Sequence, residues 1–179
     1  MQGNRKNNGA DSTKRLTACA MLSALSVVLL YLGSMIQVID ISMSVIASLM
    51  CVFAVIEYGK SAPWFVFGVT SVLSLLLLPQ KAPALMYVIF FGYYPILKER
   101  FERLGTTVCW ILKEAVFNVA LVFMIIVMKW LLFENLDFPF MLYVVGVALL
   151  EVVFVIYDFA LTRLISLYVY KIRRRFKIK

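Results

Sequence analysis

Six apolar runs divide this chain, and charged or helix-breaking residues separate them. The first is Leu16 to Ile36. The second, Ile41 to Tyr58, is ended by Gly59, Lys60 and Pro63, and the third, Trp64 to Leu78, by Pro79. The fourth covers Ala84 to Leu97 and meets the charged run "KERFERLG"; the fifth is Thr106 to Phe133; the sixth begins at Phe138 and stays apolar to Leu161. The second and third fall short of the ~20 residues of a full span, so their helices are expected to extend through the flanks. The fifth is long enough to tilt. With 63% hydrophobic and 16% charged residues in 179, one aqueous core has no room for this much apolar surface, and an integral membrane protein is expected. Leu16 to Ile36 exceeds the apolar part of a signal peptide and no small-residue cleavage site follows it, so it is read as a retained span.

Six spans bring both ends to one side. Arg5, Lys6, Lys14, Arg15, Lys60, the Lys98–Arg103 run and the cluster from Lys171 to Lys179 then share the cytoplasm, while Asp40, Lys81, Glu134 and Asp137 lie opposite. The expected fold is therefore an all-α membrane protein, a compact bundle of six transmembrane helices with both termini cytoplasmic. Residues 1–15 read as a polar, disordered cytoplasmic tail, 16–171 as the transmembrane domain, and 172–179 as a basic cytoplasmic tail. The net charge of +8 comes mostly from the two ends and one internal loop. The C-terminal basic residues directly follow an apolar run, so the charge is a topology signal and no nucleic-acid partner is expected; the expected surroundings are membrane lipid.

Several chemistries lack their residues. Cys19, Cys51 and Cys109 are widely spaced and lie in or beside apolar runs, which reads as small core residues rather than a disulfide framework or a metal knuckle. The chain has no histidine, so histidine relays, HExxH chemistry and ordinary haem ligation are excluded. No metal or cofactor is expected. There is no glycine-rich phosphate loop and no detectable pair of related halves, so active transport by this chain would draw its energy from partners.

In "LTACAMLSALSVVLLYLG", Leu16 to Gly33, the small residues Ala20, Ser23 and Ala24 fall on one helical face. A chain of this length, with six predicted helices, a basic N-terminus and an Ala-xxx-Ala pair in its first helix, resembles the substrate-binding S-components of energy-coupling factor (ECF) vitamin transporters. The resemblance implies a bacterial inner-membrane protein that captures a small, vitamin-like solute. It also implies that Ala20, Ser23 and Ala24 dock onto an ECF transmembrane coupling subunit driven by two ATPase subunits. Helices in lipid associate through packing area, and small residues one turn apart permit close approach. The same spacing also serves packing of the first helix inside its own bundle, and the motif alone leaves both readings open.

Polar residues within the apolar runs form two layers. With the fifth helix running outward and the sixth inward, Lys113 and Glu114 lie at the depth of Asp158 and Arg163. The pairs Lys113–Asp158 and Glu114–Arg163 read as a structural charge clamp in preference to a solute site, because the signs balance. Nearer the midplane Asn118 and Glu151 share a depth. There Glu151 is expected to be protonated, to bond Asn118 or a tyrosine, or to receive a solute. Tyr87, Tyr143, Lys129 and Asp40 stand toward the outer rim with Trp130, as solute contacts or as interfacial anchors. By rough topology, the solute region of S-components corresponds to Asp40, Lys81, Tyr87, Asn118, Lys129, Tyr143 and Glu151. In "FFGYYPILKER", Gly92 and Pro95 predict a kink in the fourth helix, shaping a pocket or merely fitting the helix to its neighbours.

The leading functional expectation is an S-component that is not itself an enzyme. A noncatalytic membrane scaffold or assembly subunit is the alternative. A membrane enzyme using Glu114, Glu151 and Asp158 ranks third, since no nucleophile or metal set accompanies them.

Overall fold

The computed structural model describes residues 3–59, 61–131, 140–168 and 170. No strand occurs among them, and they form six helices, the fourth of which is interrupted. The chain divides into two units, Met1–Leu131 and Leu132–Lys179.

In the first unit, α1 (Gly3–Met35) runs through a 3-10 turn at Gln37–Ile39 into α2 (Asp40–Tyr58). The turn is tight because α1 carries a glycine beside it: a Cβ on Gly33 would lie 2.8 Å from Cβ of Met43. The 33 residues of α1 begin at Gly3, not at Leu16 where the apolar run starts. Residues 3–15 thus extend the helix where sequence predicts a disordered tail. No proline interrupts this stretch, and adding residues to an existing helix is far easier than nucleating one. Gly59, at φ +74°, ends α2 in a backbone conformation that suits glycine.

Prolines mark the next three starts. α3 (Ala62–Leu77), α4 (Ala82–Met86) and α5 (Tyr94–Phe101) each carry proline in the first turn, where its missing N–H costs nothing. Between α4 and α5 the chain makes a π-helical turn, Tyr87–Phe91, closed by the Gly92 N–H donating to the Tyr87 carbonyl at 2.7 Å. The kink expected at Gly92 and Pro95 is therefore a wide turn followed by a restarted helix. Gly92 is required by space: a Cβ there would lie 2.6 Å from the Phe67 ring and 2.7 Å from the Tyr87 ring. Phe67 also meets Trp64 and Tyr93 edge-on, while Phe90 packs on Phe91, Tyr94 and Phe117. After the turn at Gly105, α6 (Thr106–Leu131) completes the unit.

α1, α2 and α3 pack together through two apolar layers. Cys19, Ala54 and Val66 form one; Leu30, Ala47, Leu78, Ala84 and Tyr87 form the other. The cysteines at 19, 51 and 109 are all buried and unbridged.

The second unit contains α7 (Phe140–Leu167). Ser12–Met35 of α1, all of α2, Thr106–Val127 of α6 and Val144–Leu167 of α7 are long and apolar enough to cross a membrane. α3, at 16 residues, is shorter, and the fourth helix is divided.

Candidate functional site

The face of α1 expected to dock a partner splits in two. Ser23 is buried, its hydroxyl donating to the Cys19 carbonyl at 2.8 Å, and belongs to the packing of α1 within its own unit. Ala20 and Ala24 are exposed, as are Thr13 and Thr17 on the turns before them. Large exposed side chains flank the two alanines: Met21, Leu25 and Val28. α1 therefore presents a shallow lane on its outward side, bordered by Met21 and Leu25 and closed by Val28, and small residues one turn apart let a second helix approach closely.

At the end of the unit where α2 begins, Asp40, Lys81 and Tyr87 come from segments that pack together. The Ser44 hydroxyl links them, lying 2.9 Å from the Asp40 carbonyl and 3.2 Å from the carbonyl of Pro83 in α4. One carboxylate oxygen of Asp40 is buried without a hydrogen-bond partner among the described residues. Lys81 serves the fold directly, because its ammonium donates to the carbonyls of Leu75 and Leu78, each at 2.8 Å, and so caps the C-terminal end of α3. Tyr87 is fully buried in the core layer with Leu30 and Leu78. Lys81→Met removes both capping bonds, and we expect it to lower stability by about 1 kcal/mol. Thermal unfolding in detergent checks this, and an unchanged midpoint would show that the cap contributes nothing.

The other end of the fourth helix holds a charge node. Lys98 of α5 is completely buried and its ammonium lies 3.0 Å from the Glu102 carboxylate. Lys113 of α6, also buried, lies 3.5 Å from the same oxygen and 5.5 Å from the Trp110 ring centroid. Glu102 is thus a bridge between α5 and α6. The neighbouring Glu99–Arg103 pair has the same i,i+4 spacing but is solvent-exposed. Sequence reading places Lys98 in the charged cytoplasmic run and gives Glu102 no part in holding Lys113. The sequence signal for the node is the repeat Tyr94, Lys98, Glu102, one turn apart on one helical face.

Asn118 is exposed on α6, its side-chain amide donating to the Glu114 carbonyl of its own helix at 3.1 Å. Lys129 and Tyr143 belong to α6 and α7, and their side chains lie outside the described residues. Glu151, Asp158 and Arg163 stand on α7, in the second unit, with one Glu151 oxygen lacking a hydrogen-bond partner among the described residues. The Asp158 carbonyl accepts from Thr162 at 2.9 Å. Each expected clamp pair, Lys113–Asp158 and Glu114–Arg163, has one member in each unit. Among the described residues, no group of three or more potential metal ligands occurs. No protein-family model, curated protein or solved structure matches this chain.

Proposed function

We propose that this chain is a bacterial inner-membrane subunit with both termini in the cytoplasm, and that it docks onto a partner helix through the outward lane of α1. In this reading it is the solute-capturing S-component of an ECF-type transporter. The coupling subunit meets Ala20 and Ala24, two ATPase subunits supply the energy, and a vitamin-like solute enters from the opposite side near Asp40. The observation that carries the docking part is the exposure of Ala20 and Ala24 beside Met21 and Leu25, while Ser23 is buried inside the unit.

A specific observation favours a second reading, a membrane scaffold subunit with no solute. Lys81 and Tyr87 are used by the fold, one as a helix cap and one as core, and Asn118 bonds its own helix. The two readings share the docking surface and differ in the ligand.

Ala20→Leu with Ala24→Leu tests the surface. Both side chains project outward, so the double variant is expected to fold and melt like the parent, yet lose a stoichiometric membrane partner on purification. Undiminished assembly removes the docking proposal, and a large fall in melting temperature shows that the face packs internally. The identity of the captured partner and a vitamin screen by thermal shift then separate the readings. ATPase subunits and a stabilising solute favour the S-component; a partner without ATPases and no stabilising solute favour the scaffold.

A further inference from the structure

Between the two apolar layers of the first unit lies a third layer made of hydroxyls. Along α1, Ser23 and Ser26 fall between Cys19 and Leu30; along α2, Ser48 falls between Ala47 and Ala54; along α3, Thr70, Ser71 and Ser74 fall between Val66 and Leu78. All six are buried, and Ser26, Ser48, Thr70 and Ser74 have no exposed surface at all.

Their hydrogen-bond states differ in an informative way. Ser23, Ser26, Ser48 and Ser74 donate to carbonyls three or four residues back, at 2.8, 3.0, 2.6 and 3.1 Å. The Ser26 hydroxyl also lies 3.3 Å from the Ala47 carbonyl across the α1–α2 seam. These four have committed their protons and keep oxygen lone pairs to accept with. Thr70 and Ser71 have committed neither proton nor lone pairs: their hydroxyl oxygens are buried with no hydrogen-bond partner among the described residues. A hydroxyl on a helix can bond a carbonyl of its own preceding turn, as the four serines do, and two adjacent buried hydroxyls without such a bond call for another partner.

We propose that this layer is a binding site for a small cluster of ordered water, held by Thr70 and Ser71 of α3 and donating to the serine oxygens of α1 and α2. A water molecule both donates and accepts, and it needs two to four polar partners, a demand this mixed set meets. A bare cation is a poorer match. The charged residues of α2, Asp40 and Glu57, stand at its two ends, and the layer holds no carboxylate to offset the desolvation of an ion. The water fastens α3 to the inward side of the helix whose outward side carries Ala20 and Ala24.

Hydroxyl-radical footprinting of the full chain in detergent, with isotopically heavy oxygen supplied in the water, tests this directly. Radicals form on bound water, and the reactive sulfur of Cys51, which has no exposed surface and donates to the Pro63 carbonyl at 3.7 Å, stands on α2 one turn after Ser48. Cys51 is expected to label at a rate comparable to exposed Met21, and the double variant Thr70→Val, Ser71→Ala is expected to cut Cys51 labelling several-fold while leaving Met21 unchanged. Thr70→Val alone, which preserves shape, is expected to lower the melting temperature. A protected Cys51 in the parent protein overturns the proposal without any variant having to fold. So does Cys51 labelling that persists in the double variant, or a Thr70→Val protein that melts higher, which is the response of an unsatisfied hydroxyl.

Discussion

Gly92→Ala is expected to destabilise the detergent-solubilised protein by about 1–3 kcal/mol, the range for forcing a methyl into a filled core. Alanine is ordinarily the better helix residue, by up to about 1 kcal/mol, so propensity alone predicts the opposite sign. Space decides the outcome. The new Cβ would meet the Phe67 ring at 2.6 and 2.8 Å and the Tyr87 ring at 2.7 Å. Neither ring is a flexible tip: Tyr87 is fully buried, and Phe67 is held between Trp64, Tyr87 and Tyr93. The check is a double-mutant cycle by thermal unfolding with Phe67→Ala. If the clash is with that ring, the two costs fall short of additivity by roughly 0.5–3 kcal/mol; strict additivity would remove the ring as the cause.

Glu102→Ala is expected to cost a similar amount, about 1–3 kcal/mol, for an electrostatic reason. Breaking a buried ion pair by deleting one member typically costs about 3–5 kcal/mol, because the other charge stays buried. Here the figure is lowered because the Glu102 side chain is 40% exposed and water reaches it. Glu99→Ala supplies the internal control. It removes a pair of identical spacing, offset by one residue along the same helix, whose partners are 65% and 39% exposed, and should cost no more than about 1 kcal/mol. If the two variants melt alike, the Lys98–Glu102–Lys113 node contributes no more than a surface pair. Replacing Lys98 by Met in the Glu102→Ala background should recover part of the loss, since it withdraws one of the two buried ammonium groups that Glu102 had balanced.

Helical boundaries are legible in the sequence wherever a backbone rule sets them. Gly59, Pro63, Pro83 and Pro95 act through their own geometry, whatever surrounds them, and the helices stop and restart at them. The interrupted fourth helix is legible for the same reason. Burial is less legible, because it depends on neighbours. Lys98 reads as one more cation in a charged run, and only the packing of α5 shows that it points inward. Ala20, Ser23 and Ala24 read as one small-residue face, whereas neighbouring positions on a helix differ by ~100° and the edge of the buried stripe falls between them. Lys81 reads as an outward-facing charge; its two carbonyl partners become visible only when α3 ends beside it. The start of α1 is hidden by polarity, which suggests disorder, although nothing in residues 3–15 stops a helix that the apolar run has already formed.

The π turn has a consequence for sign of charge. Relative to an α-helical turn it holds one additional residue, and each residue in a helix advances the phase by ~100°. Tyr94 and Lys98 face the interior because that residue is present. Had the chain been one residue shorter there, the inward position of Lys98 would pass to Glu99, and the helix would bring a carboxylate to Lys113 where it now brings a cation and, one turn on, the acid that holds both lysines. A single spare residue in the wide turn thus chooses whether the fourth helix delivers positive or negative charge to the interior.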